Sequence, residues 1–377
     1  MVQVKSEQII QRLAVVFIIL VNGLFCLKYS YRATHWYLPL TVGYMAFVGL
    51  SCTYGMRILQ RLPTAITFWG GMVGFLLVSV VLMIVVDKDS LHVDRWLMIA
   101  TFWDNVRDGI YPYVPRYGPN IPSQLPVYHI LAYPFYIAGE VGFYSVAVLV
   151  TWVFLLREKY KTQTWFVLLM ICVSAGVWWE IVSRSTIIMN MVLVIVMMMY
   201  VDTAKPKTVW HHVILGVLSG LLLATRVTVV FPLIVMFSAY NLRQRAVQHV
   251  IAMAVAALFT IGLVLLPLYI MDNKYFWQYN PLLVQSYFTN SYVTVILLVL
   301  SFIGGYLGKS PVLRYGICGI LMVLTTMWAS QIHYRYFGPW AMIFDSKFDI
   351  SYYLQAFPYF VMALLPNLRG TDTVTNG

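Results

Sequence analysis

Charge is what this chain most lacks. Only 10% of its 377 residues are charged, against roughly a quarter in a soluble domain. That scarcity excludes a water-soluble globular protein, and a hydrophobic share of 61% with a mean hydropathy of +0.77 points to a membrane. Acids are the scarcer sign, with 14 against 25 lysines and arginines and a formal net charge of +11. In a soluble chain such a surplus suggests nucleic acid; here most of the cations sit in short connections between apolar runs, where they set orientation. No nucleic-acid partner is expected. Cysteine is also sparse: Cys26, Cys52, Cys172 and Cys318 stand singly in apolar segments, which argues against a disulfide framework or a metal centre. A phosphate-cradling glycine loop, a paired-histidine zinc motif and a GxSxG elbow are all missing. No cofactor is expected with certainty and no protein metal site is predicted, with the need for a divalent cation left open.

What is present is a succession of apolar runs. The opening MVQVKSEQIIQRLAVVFIILVNGLFCLKYS has an apolar core too long for a signal peptide and no small-residue cleavage site, so it reads as a retained span. Spans are predicted over about 10–27, 36–55 and 65–86, with Lys5 and Arg12 holding the N-terminus on the cytoplasmic side. Further crossings are expected from about 127 to the basic REKYK, then over about 163–179 and 186–201, ending at the basic DTAKPK. The next run, HHVILGVLSGLLLATRVTVVFPLIVMFSAY, carries Arg226 in its middle and is again followed by a basic connection, NLRQR. A hairpin of two short helices turning near Ala224 to Arg226 satisfies both ends; one long tilted helix with Arg226 snorkelling is the alternative. Spans at about 247–270, 291–307, 312–330 and 351–366 complete the set. The expected fold is an all-α polytopic membrane protein of about 11–12 transmembrane helices, forming a single domain over residues 1–370 with a polar tail, 371–377.

Two long external pieces follow from this topology, residues 87–125 and 331–350. Wound as a helix, residues 93–108 place Trp96, Ile99, Trp103 and Val106 on one side, and Asp94, Thr101, Asn105 and Asp108 on the other. This predicts an amphipathic interfacial helix with its acids turned toward water or a cavity. Gly109 suits its C-terminal cap, and YPYVPRYGPNIPSQLP beyond it holds too many prolines and tyrosines to be helical. Asp94 falls where the third span meets this helix, a place from which a general base can reach a substrate drawn from the lipid. Asp104 and Asp108 compete for that role. Arg184, Arg226, Lys274 and Arg335 are cations on the side opposite to the usual positive-inside preference, which suits an anionic phosphate or pyrophosphate headgroup. Aromatics in the same loops, among them Tyr111, Tyr113, Tyr117, Trp277, Tyr334 and Tyr336, suit stacking on sugar rings as well as an interfacial belt.

HVDRW, the spacing to DGIYPYVP, and PSQLPVYHILAYPFYIAGEVG resemble the first external loop of the GT-C superfamily, the multi-span glycosyltransferases that use polyprenyl-phosphate sugars, mannosyltransferases among them. SRSTIIMN is similar to that superfamily's short turn into a membrane helix, and SGLLLATRVTVVFPLIVMF to its hairpin, with Arg226 in the usual lysine or arginine place. The similarity covers residues 80–240. It implies transfer of a sugar from a polyprenyl-phosphate donor to a glycan or lipid-linked acceptor, on the extracytoplasmic face of what is expected to be a bacterial inner membrane. On this resemblance Asp94 matches the acid that deprotonates the acceptor hydroxyl, and Arg226 a cation near the donor phosphate. Arg184 and Arg335 join the donor phosphate by position alone, and Arg95, Asp104, Asp108, Tyr111, Tyr113 and His333 are expected to contact substrate. In many members the acid follows the first span, whereas two spans precede the one ending at Asp94 here. Either the chain carries an N-terminal extension or Asp94 is not the equivalent acid.

Two other readings fit a multi-span chain. An O-antigen-type polymerase or ligase would use His333 and Arg335 and leave Asp94 dispensable. A non-enzymatic transporter or flippase would show inverted repeats and helices broken at midplane, of which the sequence offers only the interrupted run around Arg226.

Overall fold

The computed structural model describes residues 2–59, 61, 64–91, 93–118, 120–160, 163–204, 208–244, 247–286 and 290–365. The basic residues of 205–207, the end of REKYK, Arg245 and the polar tail lie outside the described residues, as does His92. Among the described residues the regular structure is entirely helical, as expected of an all-α membrane protein.

The first three spans are α1 (Val2–Ala33), α2 (Tyr37–Leu59) and α3 (Thr64–Val85), each longer than or close to its predicted run. The interfacial helix follows as α4 (Arg95–Arg107). It stops as the sequence suggests: Gly109 adopts φ +71°, its N–H donates to the Val106 carbonyl at 3.2 Å, and the Ile110 N–H donates to the Asn105 carbonyl at 2.8 Å. This double closure is the usual glycine-terminated helix end.

The expected single crossing from residue 127 is instead two helices, α5 (Pro126–Ile137) and α6 (Gly142–Tyr160), bent by 109°. Gly139, at φ +84°, makes the bend, closing α5 in the same way as Gly109 closes α4. Hydropathy alone does not see such a corner, because both arms are apolar. The next crossing is likewise α7 (Thr164–Val173) and α8 (Ala175–Val182), bent by 68° at Ser174, whose hydroxyl caps α8 and donates to Asn22 Oδ1 at 2.8 Å. Then come α9 (Ile187–Ala204), α10 (Val209–Leu223), a 3-10 turn (Val227–Val229) and α11 (Val230–Gln244). The chain continues through α12 (Val247–Met271), the short α13 (Asn273–Gln278) and α14 (Pro281–Ser286), and α15 (Ser291–Leu307). It closes with α16 (Pro311–Ile343), a 3-10 turn (Ile350–Gln355) and α17 (Phe357–Ala363). The predicted external loop 331–350 is therefore largely helix: α16 runs on past its span, kinked at Gly338 and Pro339.

Contacts between distant residues give the helix directions. Ile10 packs where a Cβ on Gly316 would stand, and Arg32 donates to the Phe344 carbonyl at 2.7 Å, so α1 and α16 run parallel. Gly216 and Gly220 of α10 meet the Met253 and Ala257 carbonyls of α12, which makes that pair parallel too, and places α11 as the return between them. The small residues let the two backbones touch, as membrane helices lacking a hydrophobic drive to associate require. The break predicted at Ala224 to Arg226 is present, but the arms splay: α10 packs on α12, and α11 on α15 and α16. Among the described residues, five helices are long and apolar enough to cross a membrane alone, or up to eight if each bent pair is one span. That is fewer than the about 11–12 crossings expected from the sequence, since α10 and α11, at 15 residues each, fall short of a full span.

Candidate functional site

Two polar cavities lie side by side at the end of the bundle where α1 and α3 finish. The first, about 300 Å³, is lined by Asp94, Arg95, Asn120, Tyr128, Arg226 and Tyr352 among others. The second, about 360 Å³, is lined by Lys28, Tyr29, Arg32, Trp179 and Ser346. Asp94, Arg95 and Asp349 line both and form the wall between them.

Arg95 is the keystone of that wall. Its guanidinium donates to Glu180 Oε1 at 3.0 Å, to the Ser185 hydroxyl and to Asp349. Burial works against its charge, but Asp349 and Glu180 outweigh that and hold the group protonated more firmly than usual. Glu180 is fully buried, and its second oxygen accepts from the Ile187 and Ile188 amides at 2.7 and 3.4 Å, at the N-terminus of α9. Orphan N–H groups and the positive helix end are a natural place for a carboxylate. One acid thus ties α8 and α9 to α4. Burial pushes the Asp349 carboxyl up, while Arg95 and the Ser351 amide and hydroxyl hold it below the usual range.

Asp94 sits at the N-cap of α4, yet its side chain caps nothing there. Its carboxylate accepts from the Asn120 amide at 2.6 Å and, among the described residues, has no cation within ion-pairing distance. It therefore faces the cavities with proton-accepting capacity to spare. Across the first cavity, Arg226 is held by its backbone: Val227 N–H donates to Gln285 Oε1 at 2.8 Å, and Leu125 and Val127 N–H donate to the Thr225 and Ala224 carbonyls. Its guanidinium lies 5.2 Å from the centre of the Tyr352 ring, against whose face Arg95 also sits at 5.8 Å. Arg226 has no carboxylate partner among the described residues, so an incoming anion is its natural complement.

The other predicted site residues lie elsewhere. Arg184 is buried outside both cavities; its guanidinium donates to the Met83 and Val86 carbonyls at 2.6 and 3.1 Å and approaches Glu140 at 3.5 Å. It staples the end of α3 and lines neither cavity. Arg335 is exposed on α16 and His333 packs by Phe348 and Phe337; neither lines a cavity of the site. Asp104 accepts from the Tyr117 and Tyr136 hydroxyls at 2.7 Å each and pairs with Arg107, and Asp108 pairs with Arg116 at 2.7 Å. Both acids pin the aromatic arm to α4. Tyr111 and Tyr113 are packed with Phe102, Leu268 and Phe276 in a small core, where Tyr113 donates to the Gln124 carbonyl at 2.9 Å. On the polar side of α4, Asp108 is exposed and Asp94 lines the cavities as expected, but Thr101 and Asn105 are buried, and Asn105 donates to the Pro112 and Val114 carbonyls to hold the arm.

Sequence reasoning singled out Asp94, Arg95 and Arg226, which the fold brings together. It missed Lys28, Glu180, Asp349 and Tyr352. Glu180 alone carried a signal, as the one acid in an otherwise apolar run. Among the described residues no group of three or more histidine, cysteine, aspartate or glutamate side chains is placed to hold a metal ion. Comparison with protein-family models, with curated proteins and with solved structures finds no match.

Proposed function

We propose that this protein is a membrane glycosyltransferase that moves a sugar from a polyprenyl-phosphate donor to an acceptor hydroxyl. The observation that carries the reading is the placement of Asp94, a carboxylate with no cation partner among the described residues, opposite Arg226, a guanidinium likewise without a carboxylate partner, across one polar cavity at the end of the bundle. A sugar phosphate already has a good leaving group, so no covalent enzyme intermediate is needed. Asp94 takes the acceptor's hydroxyl proton, the acceptor oxygen bonds to the anomeric carbon, and the bond from that carbon to the phosphate oxygen breaks. The phosphate leaves with the electron pair, and Arg226 stabilises its charge. Lys5 and Arg12 lie at the opposite end of α1 from the cavities, which by the positive-inside preference supports an extracytoplasmic site; we take this side to be the periplasmic face of a bacterial inner membrane. The polymerase or ligase reading rested on His333 and Arg335, and neither lines the two cavities.

The test is transfer of labelled sugar from a polyprenyl-phosphate donor in proteoliposomes. Asp94→Asn keeps the Asn120 contact within reach and removes the base, so turnover should fall by about 10² to 10⁴. Wild-type turnover in that variant refutes the assignment.

A further inference from the structure

The second cavity does not end in the protein. Tyr29 and Trp179 line it and also line a groove of about 720 Å³ between α1, α2, α7 and α8, whose other walls include Phe25, Tyr44, Phe47 and Trp178. The groove is open along one side and almost wholly apolar, while the cavity at its end is polar. In the polar cavity, next in sequence to Tyr29 of the junction, stands Lys28, 3% exposed, with no carboxylate within ion-pairing distance among the described residues. Asp349, on the same cavity wall, acts on it only from beyond ion-pairing distance; a buried ammonium with no carboxylate in contact is costly in a low-dielectric setting and favours an incoming anion. Arg32 lines the same cavity one turn further on, its guanidinium donating to the Phe344 carbonyl and the Ser346 hydroxyl at 2.7 and 2.9 Å, neither of which neutralises it.

We propose that cavity and groove together bind one amphiphile, an anionic lipid whose head lies on Lys28 and Arg32 and whose hydrocarbon chain lies in the groove, and that this lipid is the acceptor. The apolar walls and the lateral opening suit a chain entering from the bilayer; a free phosphate has no use for them. Assignment of the lipid as acceptor rests on the transferase reading, and on its placement of the donor phosphate at Arg226. Donor and acceptor then approach Asp94 from opposite sides of the wall that Arg95 and Asp349 complete. The acceptor hydroxyl loses its proton to Asp94 from the Lys28 side, and the phosphate departs on the Arg226 side.

Two measurements on the full-length protein in detergent or liposomes test this separately from turnover. Dodecyl phosphate is the binding probe, with dodecanol and inorganic phosphate as controls. Wild type should bind dodecyl phosphate more tightly than either control. Lys28→Met, which keeps the apolar stem, should weaken dodecyl phosphate by at least about tenfold and leave dodecanol unchanged, as loss of a charge-assisted contact implies. Arg32→Gln should weaken it in the same direction, and both should do so by more than Arg226→Gln, because the Arg226 guanidinium is assigned to the donor's own lipid phosphate. Equal binding by wild type and Lys28→Met, or loss in Arg226→Gln instead, overturns the site. For the acceptor, proteoliposomes of bacterial lipid extract are given labelled polyprenyl-phosphate sugar. Label recovered in the organic phase on a product retained by an anion exchanger supports the assignment; label on a water-soluble product overturns it. Absence of any sugar transfer by the wild type would remove the transferase reading and leave the lipid site standing.

Discussion

Replacing Arg95 by Met tests the wall on which both cavities depend. The Arg95 side chain is 11% exposed and that of Glu180 0%, and they meet at 3.0 Å. Removing one partner of a buried pair leaves the other charge uncompensated, at about 3–5 kcal/mol. Glu180 keeps its two α9 amides, each such charge-assisted bond being worth about 1.5–3 kcal/mol, so the lower end, about 3 kcal/mol, applies. The Asp349 side chain is 42% exposed; solvent screening limits its share to under about 1 kcal/mol. Glu180→Gln alone removes the acid and strands Arg95 with Asp349. The double variant Arg95→Met with Glu180→Gln should cost about 1–3 kcal/mol less than the two single losses added, because each single variant strands a charge that the double does not. Denaturant unfolding in detergent measures all three. An unfolding free energy for Arg95→Met within about 0.5 kcal/mol of wild type, or strict additivity in the double variant, refutes the account.

Four further outcomes follow from the geometry. A Cβ at Gly216 would stand 2.4 Å from the Met253 carbonyl oxygen, so Gly216→Ala should part α10 from α12, cost about 1–3 kcal/mol and displace Arg226 at the end of α10; thermal unfolding and turnover should fall together. Asp349 has its folded pKa held below the unfolded value, so its stabilising contribution is present above an unfolded value of about 3.9 and is lost as pH falls through the lower folded one. Asp349→Asn should flatten that acid limb in a pH series of unfolding. Arg335→Ala and His333→Ala should leave sugar transfer at the wild-type rate, whereas loss in either revives the polymerase or ligase reading. Arg184→Ala should lower stability by about 1–3 kcal/mol, since several buried carbonyls lose their donor.

Much of the architecture was legible because a membrane imposes a length and polarity rule on each pass. The first three spans, the interfacial helix with its stop at Gly109, and the break ahead of Arg226 all follow from apolar run length, a glycine after a periodic stretch, and a charge where lipid tolerates none. The corners at Gly139 and Ser174 were not legible, because bending an apolar run leaves its hydropathy unchanged. The side assignment on α4 held for Asp94 and Asp108 and failed at Asn105 for a specific reason: Asn105 is polar because the arm's carbonyls need a donor, a demand that exists only once Pro112 and Val114 fold back on it. Within the candidate site, Asp94 and Arg226 announced themselves by position. Their surroundings did not, since Arg95 meets Glu180 across 85 residues and Asp349 across 254, and Lys28 reads in sequence as an ordinary cation at a span end.

Arg184 has a consequence for the order of assembly. It occupies the left-handed region, φ +51°, at the close of α8, where Ser185 N–H donates to the Glu180 carbonyl at 2.8 Å; glycine would adopt that conformation without strain. Its side chain meanwhile reaches carbonyls at the end of α3. The strained turn is thus held by a segment that the ribosome delivers a hundred residues, or about five to twenty seconds, earlier. Until the nascent α8 docks on α3, the turn has only its own backbone closure and lacks the anchors that Arg184 finds on the Met83 and Val86 carbonyls. The wall between the two cavities is then among the last parts to set, after the third span has already been waiting in the bilayer.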